Sequence, residues 1–414
     1  MKLTFSKDIF KNKNFNIEKN KINNFFSQNW TKNFLGWNSE VFIGFNNNLK
    51  NYQNWAEKIS EDILIVIGIG GSFLGAKSIC EAFFHKSNKK TIIWFANTLS
   101  EIDFQNNIEK IKDKNFHCLC ISKSGTTLET LIGFSKILTI LKKRNLDLQK
   151  NITIVSEKNE GFLYNFYKNN NCNFFELEKT IGGRYSIFSA ANVLPMFFLN
   201  LDVKELVDSA KEFNDLIKSN LTNEKCNDAL RYAIYRNHLF NNGLDIEILI
   251  NFHNSLDSFN QWWIQLFSES QGKNNLGIFP ASLIFSKDLH SFGQFIQQGK
   301  LNFFETFIFF SKEINDIKVE DMDLIANNLK NIDNKNLFII NKKLYQSVLQ
   351  SHEDRGIFNT KILLNDYSLK SFGELIQFFF WSCVYSCIIM DVNPFDQPGV
   401  ELYKSYLKKL LVDN

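Results

Sequence analysis

The sequence predicts an α/β fold made of two α/β/α sandwich sub-domains with mainly parallel sheets, preceded by a helical N-terminal region and followed by a C-terminal helix. Three observations predict it. From Ile63 onward, short apolar runs alternate with amphipathic helical patterns, as expected of parallel strands covered on both faces by crossover helices. A second strand and helix system follows from about residue 181. The 414 residues are enough for two or three domains, each able to bury its own core.

In chain order, residues 17 to 60 read as two or three helices with Trp30, Trp37 and Trp55 as core anchors. Strands are expected at Ile63 to Ile67, Thr91 to Phe95, His117 to Ile121 and Ile152 to Val155. The helices between them run to Phe84, over 101 to 112 and on to Lys143. In the second system Ile246 to Asn251, Phe303 to Phe310, Leu337 to Ile340 and Ile362 to Leu364 read as strands. Residues 258 to 268, 343 to 352 and 371 to 390 read as helices. The expected division is 1–60, 61–180, 181–390 and 391–414. With no proline-rich or charged linker between the halves, the two sub-domains are expected to pack together with a site between them.

Composition narrows the function classes. Hydrophobic content of 44% and charged content of 22% are ordinary for a soluble globular chain. A net charge of +3, without a basic patch interleaved with aromatics, gives no reason to expect nucleic acid or an anionic membrane as partner. Residues 1 to 18 alternate Lys, Asn and Phe with no continuous apolar core, which is not a secretory-signal pattern. Residues 375 to 390 are uncharged but shorter than the roughly 20 residues a spanning helix needs, so a buried core or interface helix is expected. The 7 cysteines form no CxxC pair and read as buried reduced thiols of a cytoplasmic protein. The 6 histidines form no HxxxH or HxH spacing, so no metal and no cofactor is implied. The excess of Asn, Lys, Ile and Phe, with 43 Phe against 4 Pro, fits an AT-rich coding bias and carries no function.

The chemistry centres on residues 118 to 130, where an apolar run ends in Ser122, Lys123, Ser124, Gly125, Thr126 and Thr127 and a helical pattern starts at once. Four hydroxyls, an ammonium and unpaired N–H groups at the positive end of a helix dipole suit a phosphate. An ordinary cap needs only one hydroxyl, and the pattern Thr126-x-x-Glu129 would supply it. Ligands of parallel sheets sit at the carboxyl ends of the strands, which brings in a second turn, Gly68-Ile-Gly-Gly-Ser-Phe-Leu-Gly75. Gly71 and its neighbours let backbone approach a ligand, and Ser72 offers an oxygen. The turn fits neither the dinucleotide fingerprint nor the P-loop. Further ionisable residues stand beside glycines at Gly182-Gly183-Arg184, Ser268-Glu269-Ser270-Gln271-Gly272-Lys273, Asp288-Leu289-His290 and Gln397-Pro398-Gly399 to Lys404. A carboxylate at a helix end followed by a glycine turn is placed as a general base would be.

The ordered segments GIGGSFLGA, ISKSGTTLET, GGRYSIFSAANVLP, SESQGK, DLHSFGQFIQQG and QPGVELYK together resemble the phosphoglucose isomerase family, from about residue 60 to the C-terminus. Gln271 departs from the small polar residue usual there, and the chain is short for the family. The resemblance implies a sugar-isomerase fold and a metal-free, cofactor-free aldose to ketose isomerase acting on glucose 6-phosphate and fructose 6-phosphate. It implies phosphate contacts at Ser72, Ser122, Lys123, Ser124 and Thr127, with Gln265 and Gln397 lining the sugar site, and Gly71 and Thr126 complete the expected substrate-binding set. It assigns ring opening to His290 and Lys404, proton transfer between C2 and C1 to Glu269, and stabilisation of the enediolate to Arg184. It further implies a homodimer in which His290 serves the neighbouring subunit, and the apolar composition of 371 to 390 suits a place at a large interface. A related sugar-phosphate isomerase, dual for glucose and mannose phosphates or specific for aminosugars, and a non-catalytic sugar-phosphate sensor are the alternatives.

Overall fold

The computed structural model describes residues 1–11, 14–84, 89–159, 161–321, 325 and 327–412. The chain forms two units that are not contiguous in sequence. One comprises Phe25–Val207 and Ser255–Leu266, and the other Met1–Asn24, Asp208–Asn254 and Phe267–Asn414. Each holds one five-stranded sheet.

In the first unit, β2 (Ile63–Ile67), β3 (Thr91–Phe95), β4 (His117–Ile121), β5 (Ile152–Ser156) and β6 (Asn173–Glu176) are all parallel, in the order β3-β2-β4-β5-β6. The chain steps outward from β2 to β3, returns past β2 to β4, and continues the other way. The topological switch point therefore lies between β2 and β4. A crevice opens at the carboxyl ends of the strands at such a point, and here it is bordered by the glycine turn after Ile67 and the hydroxyl turn after Ile121. One core cluster under this sheet takes Ile65, Ile67, Cys118, Cys120, Ile137 and Leu141. Cys118 and Cys120 are buried on it as expected, whereas Cys226 is exposed.

In the second unit, β7 (Ile246–Asn251), β8 (Phe279–Ile284), β9 (Phe303–Phe310) and β10 (Asn359–Leu364) are parallel in the order β8-β7-β9-β10, with β1 (Lys2–Phe5) antiparallel at the edge. The order is that of the first sheet, so a second switch point lies between β7 and β9.

Several expectations change. The N-terminal region is not wholly helical, because Lys2–Phe5 pairs with β10 and joins the second unit, while Glu40–Lys58 belongs to the first. Leu337 to Ile340 is the first turn of the helix Leu337–Asp354, not a strand, and Asn336 caps it by accepting from the Phe338 N–H at 2.7 Å. Trp37 and Trp55 are core anchors, but Trp30 is 40% exposed and lies edge-on to Phe25 and Phe34. The apolar helix Leu369–Ile389 is core and not interface: it packs on Asp228–Asn241, with 89% of its most apolar window buried. Two of its polar side chains bond within the unit, Gln377 donating to Asn214 Oδ1 at 2.9 Å and Ser386 accepting from Arg236 at 2.9 Å.

Candidate active site

In the first unit, the backbone turns after β4 through Gly125 at φ +65°, where its N–H donates to the Ser122 carbonyl at 3.1 Å. Ser122 is buried, and its Oγ lies 2.8 Å from Thr127 Oγ1. Ser124 Oγ accepts from the Thr126 N–H at 3.3 Å and hydroxyl at 2.9 Å. The helix Leu128–Lys143 has Thr127 at its N-cap position, not Thr126, and no side-chain hydrogen bond caps it. Contrast Ser100, whose hydroxyl accepts from the Asp103 N–H and caps Glu101–Ile111. A hydroxylated N-cap residue normally satisfies one of the orphan N–H groups. Here Thr127 turns to Ser122 instead, and the first-turn N–H groups keep their capacity for an anion.

Lys123 does something the sequence did not suggest. Its ammonium donates to the carbonyls of Lys179 at 2.8 Å and Ile181 at 2.9 Å, and lies 3.6 Å from Glu157. Burial lowers its pKa, with Glu157 opposing that shift. These bonds tie the hydroxyl turn to the stretch of chain leading into Gly182-Gly183-Arg184.

The same loop is clamped from the other side. A Cβ on Gly71 would stand 2.2 Å from the Gly183 carbonyl oxygen and 2.9 Å from the Arg184 nitrogen, so only glycine allows the two backbones to meet. Asn192, fully buried, donates through Nδ2 to the Gly71 carbonyl at 3.2 Å and to Ser186 Oγ at 3.0 Å, while its Oδ1 accepts from the Ala76 N–H at 2.7 Å. Asn192 was missed as a site residue. Its only signal was a buried-type polar residue inside GGRYSIFSAANVLP. Arg184, 3% exposed, lies in the short turn Gly183–Tyr185 with its guanidinium 5.6 Å from the Tyr185 ring centre. Ser72 ends the turn Gly70–Ser72, and Gln265 brings Nε2 to within 3.0 Å of where a Cβ on Gly70 would be. The first unit thus brings Gly71, Ser72, Ser122, Ser124, Thr126, Thr127, Arg184 and Gln265 around one sheet edge.

In the second unit, Glu269 is half-buried in the last turn of the helix Asp257–Gln271. Two residues on, Gln271 is fully buried and accepts at Oε1 from Arg236 at 3.4 Å. Arg236 is itself buried against Glu247, Nε to Oε2 at 2.5 Å. This buried pair fixes the helix end from beneath. Lys273 then reaches across to the Asn393 carbonyl and to Asp396 at 2.8 Å, anchoring the chain just ahead of Gln397 and the helix Glu401–Val412. Lys404 in that helix pairs with Glu401 at 2.8 Å. His290 is exposed in the first turn of the helix Leu289–Gln298.

Among the described residues, no group of three or more His, Cys, Asp or Glu could hold a metal ion. The first unit sets clustered hydroxyls at an uncapped helix start beside a buried arginine, and the second carries a carboxylate, an imidazole and an ammonium.

The phosphoglucose isomerase family model matches residues 46–413. The glucose-6-phosphate isomerase of Mesomycoplasma hyopneumoniae strain 7448 is 37% identical over 390 residues, covering 92% of this chain and 90% of its own length. That of Bacillus cytotoxicus is 35% identical, covering 91% and 86%. Among solved structures, a hypothetical protein of Thermus thermophilus superposes with a TM-score of 0.89 at 23% identity, over 96% of this chain and 95% of its own. A glucose-6-phosphate isomerase of Chlamydia trachomatis superposes at 0.73 with 20% identity, over 89% and 74%. These two likenesses show the fold. Because the family model spans both units, from the glycine turn and the hydroxyl turn to the helix bearing Lys404, the chain belongs to the phosphoglucose isomerase family.

Proposed function

We propose that the protein interconverts glucose 6-phosphate and fructose 6-phosphate, as an aldose-ketose isomerase of glycolysis and gluconeogenesis. The observation that carries this reading is the helix start at Thr127, where hydroxyls gather at a switch point and no side chain caps the helix. Phosphate oxygens would take the place of the missing cap, with Ser122, Ser124, Thr126 and Thr127 donating and Ser72 adding a further hydroxyl. Lys123 holds the adjoining loop and adds positive charge, and Gly71, Gln265 and Gln397 border the sugar.

His290 and Lys404 assist opening of the ring. Glu269 then takes the proton from C2 of the open aldose, and the electron pair moves to the C1 carbonyl to give a cis-enediolate. A proton passes from O2 to O1, and Glu269 returns its proton to C1, leaving the ketone at C2. One base suffices because C1 and C2 present the same face of the planar intermediate. The enediolate is anionic, so the permanently charged guanidinium of Arg184 lowers the barrier without giving up a proton.

The protein acts as a homodimer in the cytoplasm in this reading. Support for association comes from Leu402, Tyr403, Tyr406, Leu410 and Leu411, all more than half exposed along one terminal helix, a density of apolar side chains that marks interaction surfaces. Support for a reducing compartment comes from Cys80, Cys118, Cys120, Cys172, Cys383 and Cys387, which are buried thiols outside any disulfide. The test is isotopic. Over many turnovers the protonated Glu269 exchanges its proton with solvent, so fructose 6-phosphate equilibrated with the protein in deuterated water should take up deuterium at C1, and the glucose 6-phosphate formed should carry it at C2. Isomerisation without deuterium in either sugar would contradict the proton-transfer route.

A further inference from the structure

The two sheets share one strand order, yet the phosphate cradle uses only the first switch point. At the second, between β7 and β9, the carboxyl ends of the strands enclose a cavity of about 580 Å³, within the range of about 300–1,000 Å³ typical of small-molecule sites. The turns correspond in sequence. After β4 the chain reads Ile121-Ser122-Lys123-Ser124-Gly125-Thr126, and after β9 it reads Phe310-Ser311-Lys312-Glu313-Ile314-Asn315. Ser and Lys stand in the same places, but the next serine is replaced by Glu313 and the following threonine by Asn315.

Those differences change what the crevice can hold. Ser311 spends its hydroxyl on the Asn365 carbonyl, so it does not repeat the open hydroxyl cluster. The exposed carboxylate of Glu313 beside Lys312 repels a dianionic phosphate. The walls are aromatic instead: Phe252, Phe309, Phe310 and Phe338 line the cavity with Leu344. At its mouth stand Lys287 and Lys312, each exposed and only loosely paired, at 3.6 Å from Asp288 and 3.9 Å from Asp366. His253 also lines it, its ring 5.4 Å from Phe310 and 5.5 Å from Tyr367. Burial lowers its pKa to about 4, so at neutral pH it is an uncharged imidazole able to donate one hydrogen bond and accept another.

We propose that this crevice is a second small-molecule site, for an organic monoanion with a flat aromatic body, such as an aromatic carboxylate or sulfonate. The body stacks among the phenylalanines, and the acidic group meets Lys287 and Lys312 at the rim. The site is separate in chemistry from the sugar-phosphate cradle, and its ligand need not resemble the substrate.

The test uses the full chain and 1-anilinonaphthalene-8-sulfonate, followed by fluorescence. A single saturable site is expected, and saturating fructose 6-phosphate should leave the probe in place. Reversing both rim charges, Lys287→Glu with Lys312→Glu, should weaken binding about 10-fold, the scale of two partly screened charges. Filling the cavity with Leu344→Trp should abolish binding. Displacement by fructose 6-phosphate, absence of saturable binding, or unchanged affinity in the charge-reversed protein would each overturn the proposal. The charge reversal touches only exposed side chains, so it remains decisive if the tryptophan variant fails to fold.

Discussion

Ser122 and Thr127 face each other across the start of the helix Leu128–Lys143, their hydroxyl oxygens 2.8 Å apart. The pairing diverts Thr127 from capping its own helix, leaving an N-terminus that an anion can complete.

Ser122→Ala and Thr127→Ala should therefore raise KM for fructose 6-phosphate by about 10-fold each, the scale of one hydrogen bond to a charged group. Inorganic phosphate should compete less well in both. Steady-state kinetics with phosphate as competitor checks this, and thermal unfolding should show a loss of no more than about 1 kcal/mol, the one hydroxyl pair removed.

Gly71→Ala puts a Cβ 2.2 Å from the Gly183 carbonyl, a fixed backbone atom. The Gly182-Gly183-Arg184 loop must move. A displacement of about 1 Å at a catalytic group can cost on the order of 10²-fold in rate, so kcat should fall much more than KM rises. Thermal unfolding should show a loss of about 1–3 kcal/mol from the overpacking.

His117 is buried, with Nε2 2.8 Å from Thr153 Oγ1, and Thr153 also accepts from Trp55 at 2.7 Å. Burial lowers its pKa to about 3. The unfolded chain, with its histidine near about 6.5, binds this proton and the folded chain does not. The contribution is thus intact above the unfolded value and is lost as pH falls from there toward the folded value, at up to about 1.4 kcal/mol per pH unit. Denaturant unfolding across that window should show a shallower pH slope for His117→Asn than for the wild type.

A mixed dimer tests whether His290 acts across subunits. Glu269→Gln and His290→Ala chains, each nearly inactive alone on cyclic glucose 6-phosphate, are co-expressed and the mixed dimer isolated. If His290 serves the neighbouring chain, one site collects both defects and the other none, and about half of wild-type activity per dimer returns for independent sites. A mixed dimer as inactive as its parents would end the shared-site idea.

The four strands β2 to β5 were legible in the sequence because they are largely apolar runs, as buried parallel strands are, whereas the edge strand Asn173–Glu176, with only Phe174 and Phe175 between polar ends, left no such run. Phe279–Ile284 escaped because it holds Pro280 and Ser282, tolerable in β8 since it lies at a sheet edge. Leu337 to Ile340 reads as a strand because four apolar residues do not distinguish strand from helix, and it is the cap at Asn336 that decides for helix. The hydroxyl turn announced itself by composition, but the Lys123 bonds to residues 179 and 181 and the Asn192 staple join chain segments far apart in sequence. No local pattern records such pairings. The division of the chain was hidden for the same reason, since Lys2–Phe5 finds its partner at Thr360 to Leu363.

Whether Glu269 moves the substrate proton is decided by measuring glucose 6-phosphate formed from fructose 6-phosphate by wild-type and Glu269→Gln protein, with excess chelator present. Wild-type turnover should be undiminished in chelator. The variant should lose about 10²- to 10⁴-fold, the usual cost of removing an acid/base group, with inhibition by inorganic phosphate unchanged. Near wild-type turnover by Glu269→Gln would contradict that role.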